Sequence, residues 1–108
     1  MSTNSIGLLR GTYFVYIMTN GGNQVLYTGV TSDLQGRCWE YINKKHPDSF
    51  SARYNVNKLV YYERFERIET AIAREKQIKA GSRKKKLDLI EQANPRYNDL
   101  YENEVMHW

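Results

Sequence analysis

Two apolar runs near the start of the chain, Tyr13-Phe14-Val15-Tyr16-Ile17-Met18 and Val25-Leu26-Tyr27-Thr28-Gly29-Val30, are joined through Asn20-Gly21-Gly22-Asn23. Both are rich in aromatic and β-branched residues, which pack well on a pleated surface, and the linker consists of turn formers. The pattern predicts strands over residues 12–19 and 24–30. Strands joined this tightly must pair antiparallel, so Tyr16 and Tyr27 fall on neighbouring strands.

After the hairpin the period changes. Leu34, Cys38, Tyr41 and Ile42 follow the spacing of an amphipathic helix, which the pattern carries to about Lys44 or Lys45. Thr31 and Ser32 offer hydroxyl caps, and Asp33 falls in the first turn, where a negative charge suits the helix dipole. Arg37 and Tyr41 lie one turn apart at the edge of the buried stripe, so both point toward the sheet or a cleft beside it. Gly36 is out of place in a helix, at a cost of about 1 kcal/mol against Ala, and implies either a close backbone approach or a frayed first turn.

His46-Pro47-Asp48-Ser49 ends the helix in a loop, because Pro47 cannot continue it. Residues 50–57 fit neither period. Leu59-Val60-Tyr61-Tyr62 with Phe65 predicts a third strand. Residues 66–80, free of Gly and Pro, predict a helix with Ile68, Ala71, Ile72 and Ile78 on one face. Gly81 suits its end, and Ser82 caps a further helix over residues 83–93, with Leu87 and Ile90 inward and Asn94-Pro95 closing it. The reading is one domain over residues 1–108 with element order β-β-α-β-α-α, loose only in the first ten residues or so and the last few.

Composition narrows the function. With 41% hydrophobic and 13% aromatic residues the 108-residue chain can bury a core unaided, which excludes a disordered class. Apolar runs of about six residues are too short to span a membrane, and Met1 to Arg10 lacks the basic-then-apolar pattern of a secretion signal. The single cysteine, Cys38, cannot form an internal disulfide, nor a zinc site with only His46 and His107; a reducing cytoplasm is the expected compartment. Lys and Arg number 16 against 12 acidic residues, and six of the eleven residues from Lys76 to Lys86 are basic: Lys76, Lys79, Arg83, Lys84, Lys85 and Lys86. Asp99, Glu102 and Glu104 make the tail acidic. Segregated charge of this kind suits a phosphate backbone, and equally a solvated helix surface beside an acidic tail.

Glu75 breaks its pattern, an acid on the apolar face of a helix. Two arrangements resolve it: a bound cation, or a pair with Lys79 one turn on. A magnesium ion that keeps most of its waters needs only one or two carboxylates plus phosphate oxygens. Arg37 carries a permanently charged fork that matches a phosphate. Tyr16, Tyr27 and Tyr41 are three of nine tyrosines, and a phenol becomes a base only where a metal or nearby cations favour its anion. Cys38 on the helix stripe reads as core; Asn94 and Asn98, flanking Pro95, read as turn or cap residues.

In order along the chain, Val15-Tyr16-Ile17, Tyr27-Thr28-Gly29, Arg37 and Glu75, with Ala73 to Lys79 and Asn94 to Leu100, resemble the GIY-YIG nuclease superfamily, in particular its small single-domain bacterial members. The resemblance covers about residues 12–100. It implies an α/β structure of the α+β kind, a small three-stranded antiparallel sheet flanked by helices, and metal-dependent hydrolysis of DNA phosphodiesters. It implies that Tyr16 and Tyr27 line the site, one of them or a metal-held water taking the proton from the attacking water, and that Arg37 stabilises the pentacovalent phosphate. Tyr41 stands where homing endonucleases carry a histidine and the repair incision nuclease a tyrosine. Glu75 would hold a single Mg2+ or Mn2+ ion, and Asn98, in Pro95-Arg96-Tyr97-Asn98, resembles the terminal asparagine of the core, Asn94 being the weaker candidate. The substrate implied is DNA, branched, nicked or damaged, with or without a larger repair protein as partner; a non-cleaving nucleic-acid-binding or partner-docking module is the alternative. The chain departs from the pattern at Phe14, where the first motif has its glycine; at Thr28 and Gly36; and at Val30, where repair enzymes carry a lysine that favours tyrosinate.

Overall fold

Every side chain from Phe14 to Thr19 is buried, because their strand is covered on both faces. The computed structural model, which describes residues 10–108, places β1 (Arg10–Thr19) between β2 (Leu26–Thr31) and β3 (Lys58–Arg67) in an antiparallel sheet of order β2-β1-β3. A central strand so enclosed reads as a continuous apolar run instead of an alternating one, which is why Tyr13 to Met18 shows no period of two. One face carries Phe14, Tyr16 and Met18 against Leu34, Cys38, Val56, Leu59 and Val105. The other carries Val15 and Ile17 against Val60, Tyr61, Ala71, Ile78 and Ile90.

Helix α1 (Leu34–Ile42) and the single-turn α2 (Phe50–Arg53) follow β2; α3 (Ile68–Ala80) and α4 (Arg83–Ala93) follow β3; a short α5 (Leu100–Asn103) and a 3-10 turn (Val105–His107) end the chain. The α+β class and the β-β-α-β-α-α order expected from sequence are therefore observed, with α2 and α5 added. In the β1–β3 ladder Ile17 pairs with Tyr61 and Met18 with Leu59, so Val60 is the extra residue of a β-bulge. The bulge turns Val60 and Tyr61 toward the same core.

Several boundaries differ from expectation for local reasons. Thr31 stays in β2, and Asp33, not Thr31 or Ser32, is the N-cap of α1, its Oδ1 accepting from Gly36 N at 3.0 Å. A Cβ at Gly36 would collide with the Asp33 carboxylate, so the glycine marks a close approach. Helix α1 stops at Ile42, before Pro47, because Lys44 adopts a left-handed φ of 50° while Lys44 N bonds Tyr41 O and Lys45 N bonds Glu40 O. Ile42 and Ile72, expected inward, are exposed. Glu66 and Arg67 remain in β3, which runs directly into α3.

The C-terminus is not loose. Val105 is fully buried, Gln35 Nε2 donates to the Val105 and Met106 carbonyls, and Trp108 packs on Phe14 and Tyr62 with ring centroids 5.4 and 5.6 Å apart. The expectations for Met1–Leu9 lie outside the described residues. Among the described residues no helix is long and apolar enough to cross a membrane.

Candidate functional site

Tyr16 points from β1 toward α1, and its hydroxyl lies 2.7 Å from that of Tyr41. Its cross-strand partner is Gly29, where a side chain would overlap the Tyr16 phenol. The glycine of the second motif thus makes room for the tyrosine of the first. Tyr27, two residues before Gly29 and so on the same face, meets Tyr41 edge-on with centroids 5.9 Å apart. Arg37 stands one turn before Tyr41 on α1, as the spacing predicts, and with Tyr27 and Tyr41 it lines a cleft of about 300 Å³.

The electrostatics follow from this packing. Burial raises the Tyr16 phenol above its ordinary value, with the Tyr41 hydrogen bond and the Arg37 charge partly opposing. Burial raises Tyr41 too, and Tyr16 adds to it. Both phenols therefore hold their protons at neutral pH. Burial alone would lower the Arg37 pKa, but the facing Tyr16 and Tyr41 oxygens outweigh it, and the guanidinium stays charged. Arg37 Nε also pairs with Glu40 at 3.5 Å, and Glu40 with Lys45 at 3.6 Å.

Glu75 lies on the face of α3 that also carries buried Ala71 and Ile78, and only 14% of its side chain is accessible. Of its two sequence-level solutions the structure displays the second: Oε2 meets Lys79 Nζ at 2.9 Å. Helix α3 covers the sheet face opposite α1, so Glu75 and the tyrosine cleft lie on opposite sides of the sheet. Lys79 is the link. It lines a groove with Leu26, Tyr27, Thr28, Phe50 and Lys86, and Tyr27 borders both this groove and the cleft. Among the described residues no group of three or more His, Cys, Asp or Glu converges as a metal cage. A lone, mostly buried carboxylate that already faces a cation fits only an ion that keeps waters and takes phosphate oxygens, as Mg2+ does.

The basic residues after Glu75 are partly committed to the fold. Arg83 donates to the Asn23 carbonyl, Lys86 to the Lys79 carbonyl, and Lys84 pairs with Asp88 at 2.8 Å. Lys76 and Lys85 are exposed with no ion pair among the described residues. Asn98 is exposed; its backbone N–H and carbonyl are both held by the side chain of Asn94, whose Nδ2 also takes the Val60 carbonyl at 3.0 Å. No hydrogen bond ties the Asn98 side chain to the cleft among the described residues. Cys38 is buried against Met18, and burial pushes its thiol up to about 12, as suits a core residue.

Sequence periodicity did not reach Glu40, Lys44, His46, Ser49 and Ser51, which line the cleft with Arg37. Lys44, His46 and Ser49 lie on the loop after α1 and Ser51 on α2, and only the tertiary return of that segment to Tyr27 assembles them. Glu40 carried a signal, three positions after Arg37 on the same helix face.

Comparison with known proteins agrees with this arrangement. The GIY-YIG catalytic domain family matches residues 12–88. A UPF0213 protein of Syntrophus aciditrophicus is 35% identical over 82 residues, 76% of this chain and 92% of its own length. Another, from Haloquadratum walsbyi, is 32% identical over 80 residues, covering 74% and 88%. The solution NMR structure of a UPF0213 protein of Bacillus halodurans superposes with a TM-score of 0.53 at 25% identity, covering 86% of this chain and 97% of that one.

Proposed function

Since the chain belongs to the GIY-YIG catalytic domain family, a nuclease superfamily, we propose that it is a DNA endonuclease that hydrolyses phosphodiester bonds with one divalent cation, Mg2+ or Mn2+. The observation that carries this reading is the convergence of a charged Arg37 with Tyr27 and Tyr41 on one cleft, the Tyr41 hydroxyl bonded to that of buried Tyr16 behind it. Nothing in a packed core requires a guanidinium aimed at two buried phenols beside an open cavity.

In this reading Arg37 binds the phosphate and stabilises the charge that develops on its oxygens. Tyr27 opens onto the cleft whereas Tyr16 is sealed, so Tyr27 is the phenol placed to orient the attacking water, whose proton passes through a second water to solvent. Tyr16 and Tyr41 hold Arg37 in place, and Tyr41 faces the phosphate from the position that family members fill with histidine or tyrosine. Glu75 would hold the cation, which when bound polarises the phosphate and the leaving oxygen as a Lewis acid. Lys76, Lys79, Arg83, Lys84, Lys85 and Lys86 hold flanking phosphates. Asn98 completes the proposed set. The expected substrate is branched, nicked or damaged DNA, since a domain of this size has little surface for reading a long sequence. A cytoplasmic repair or recombination role, alone or docked to a larger protein, follows.

The Glu75–Lys79 pair favours the alternative, a non-cleaving binding module whose carboxylate is already paired with a lysine. Incubation with plasmid, flap and junction DNA and either metal separates the two. Cleavage lost in Arg37→Ala and Glu75→Ala, kept in Arg64→Ala, an exposed residue of β3 outside the cleft and the basic cluster, and stopped by EDTA supports the nuclease; salt-sensitive binding with no metal-dependent product supports the module.

A further inference from the structure

Four aromatic rings run in contact from the buried centre of the cleft to open solvent. Tyr41 touches Tyr27 at 5.9 Å, Tyr27 lies near-parallel to Phe50 at 6.4 Å and 29°, and Phe50 meets Tyr54 at 4.7 Å. The last two are 50% and 48% exposed. A single exposed ring needs no explanation, but two adjoining half-exposed rings at the mouth of a basic groove do.

Local structure holds them there. Ser49 caps α2, its hydroxyl accepting from Ala52 N at 3.3 Å, and that one helical turn sets Phe50 and Tyr54 four residues apart on one face. Lys79 and Lys86 share the groove with Phe50 and Tyr27, and Arg37 and Lys44 stand on the other side of Tyr27. Positive charge thus flanks the ring series on both sides. Of the other exposed aromatics, Trp108 is set apart by its packing on Phe14 and Tyr62, and Trp39 makes no ring contact among the described residues.

We infer that Phe50 and Tyr54 form a base-stacking subsite, so that the DNA acted upon carries an unpaired nucleotide beside the scissile phosphate. This rests on the nuclease reading above and adds the substrate class. A base inside a duplex has both faces covered by its neighbours and cannot stack on a protein ring, whereas an unpaired base offers a face to any aromatic platform regardless of sequence. The lysines and Arg37 engage phosphates of either form. Discrimination for unpaired DNA therefore falls to the two rings, and Phe50, next to Tyr27, places the stacked nucleotide beside the residue assigned to the attacking water.

The test is binding in EDTA of a short single strand carrying a fluorescent adenine analogue, alongside the matching duplex and a ribose single strand. The single strand should show quenching on binding, and Phe50→Ala/Tyr54→Ala should weaken it about tenfold or more with duplex affinity nearly unchanged. Phe50→Trp should keep the quenching, and Phe50→Leu, which preserves apolar bulk if the double variant unfolds, should lose it. Equal losses for single strand and duplex, a Phe50→Leu protein that quenches like the parent, or preference for the ribose strand each overturn the inference. Failure of the two readings is distinguishable: quenching that depends on Phe50 without cleavage by either metal sinks the nuclease alone. Cleavage that ignores both ring substitutions sinks the subsite alone.

Discussion

Gly29 stands opposite Tyr16 in the β1–β2 ladder, and the space a side chain would take at Gly29 is filled by the Tyr16 phenol. The two motifs are thus two halves of one steric arrangement. Gly29→Ala should displace Tyr16 from Tyr41, destabilise the protein by about 1–3 kcal/mol as overpacking does, and reduce cleavage. Urea denaturation and a nicking assay on the purified variant measure both; a variant as stable and active as the parent would show that the phenol can move without consequence.

The Tyr16–Tyr41 hydrogen bond should be measurable as a coupling. Tyr41→Phe leaves the buried Tyr16 hydroxyl short of a partner, at a cost of about 1–3 kcal/mol, while the double replacement removes both polar groups. A double-mutant cycle should therefore return less destabilisation than the sum of the two single changes, by about 0.5 kcal/mol or more. Additive losses would mean that the hydroxyls do not interact in solution.

Much of this was legible from residue order because local and tertiary signals agree. The hairpin, α3 and α4 carry their own period and stop signals and α1 its period, and the approach of Tyr16, Arg37 and Tyr41 to one another follows from spacing on those elements. What failed did so where the backbone or a distant element decided. Lys44 ends α1 in a left-handed conformation with no glycine to announce it. Residues 50–57 show no pattern because α2 is a single turn, too short to show a period, so nothing in the sequence marks Phe50. The packing of the tail is invisible in the sequence because buried Val105 is held by Gln35 and half-exposed Trp108 rests on Phe14 and Tyr62, each far away in sequence. Glu75 stands out in the sequence as an acid on an apolar face, but no sequence pattern shows that its helix covers the sheet face opposite Arg37.

Acid should unfold the protein partly through Glu63. Its carboxylate accepts from Arg74 Nε at 3.0 and 3.1 Å and from Nη2 at 2.8 Å, and also from Tyr61. Burial would raise its pKa, but the Arg74 and Tyr61 hydrogen bonds outweigh this and lower it. A lowered folded pKa gives stability that is present above the ordinary carboxylate value and lost as pH falls through the folded one, so the contribution should fade below about pH 4. Glu63→Gln should be less stable at neutral pH and show a flatter acid limb. At the other end burial, with Glu63 adding to it, pushes Tyr61 up to about 12, a contribution lost as pH rises from the ordinary phenol value to that point. Tyr61→Phe should flatten the alkaline limb; thermal melts across the pH range read both.

Asn94 and Asn98 should separate cleanly. The Val60 carbonyl falls at the β3 bulge and is taken by Asn94 Nδ2, which also bonds the Asn98 carbonyl while Oδ1 accepts from Asn98 N. Asn94→Ala removes all three and should cost about 2–3 kcal/mol. Asn98→Ala should leave the denaturation midpoint within about 0.5 kcal/mol and lower cleavage only, if Asn98 serves the site as proposed. An Asn98 variant with full activity moves the role of that segment to the support of β3.

Lys79 should compete with the metal. Its ammonium sits 2.9 Å from the Glu75 carboxylate, 52% exposed where the carboxylate is 14% exposed, and the Glu75 hydrogen bond raises its pKa, so the ammonium is charged at neutral pH. A divalent cation at Glu75 must move or share that ammonium. Lys79→Gln keeps a side chain of similar reach without the charge. The substitution should lower the Mn2+ or Mg2+ concentration needed for half-maximal cleavage several-fold, while weakening DNA binding and reducing its salt dependence by about one charge. Calorimetric titration with metal alone gives the same comparison without DNA, and Glu75→Gln supplies the control that should bind neither ion. If Lys79→Gln and the parent require equal metal, the ion sits elsewhere, and Glu75 reverts to a helix-surface pair whose burial is set by the packing of α3 against β2.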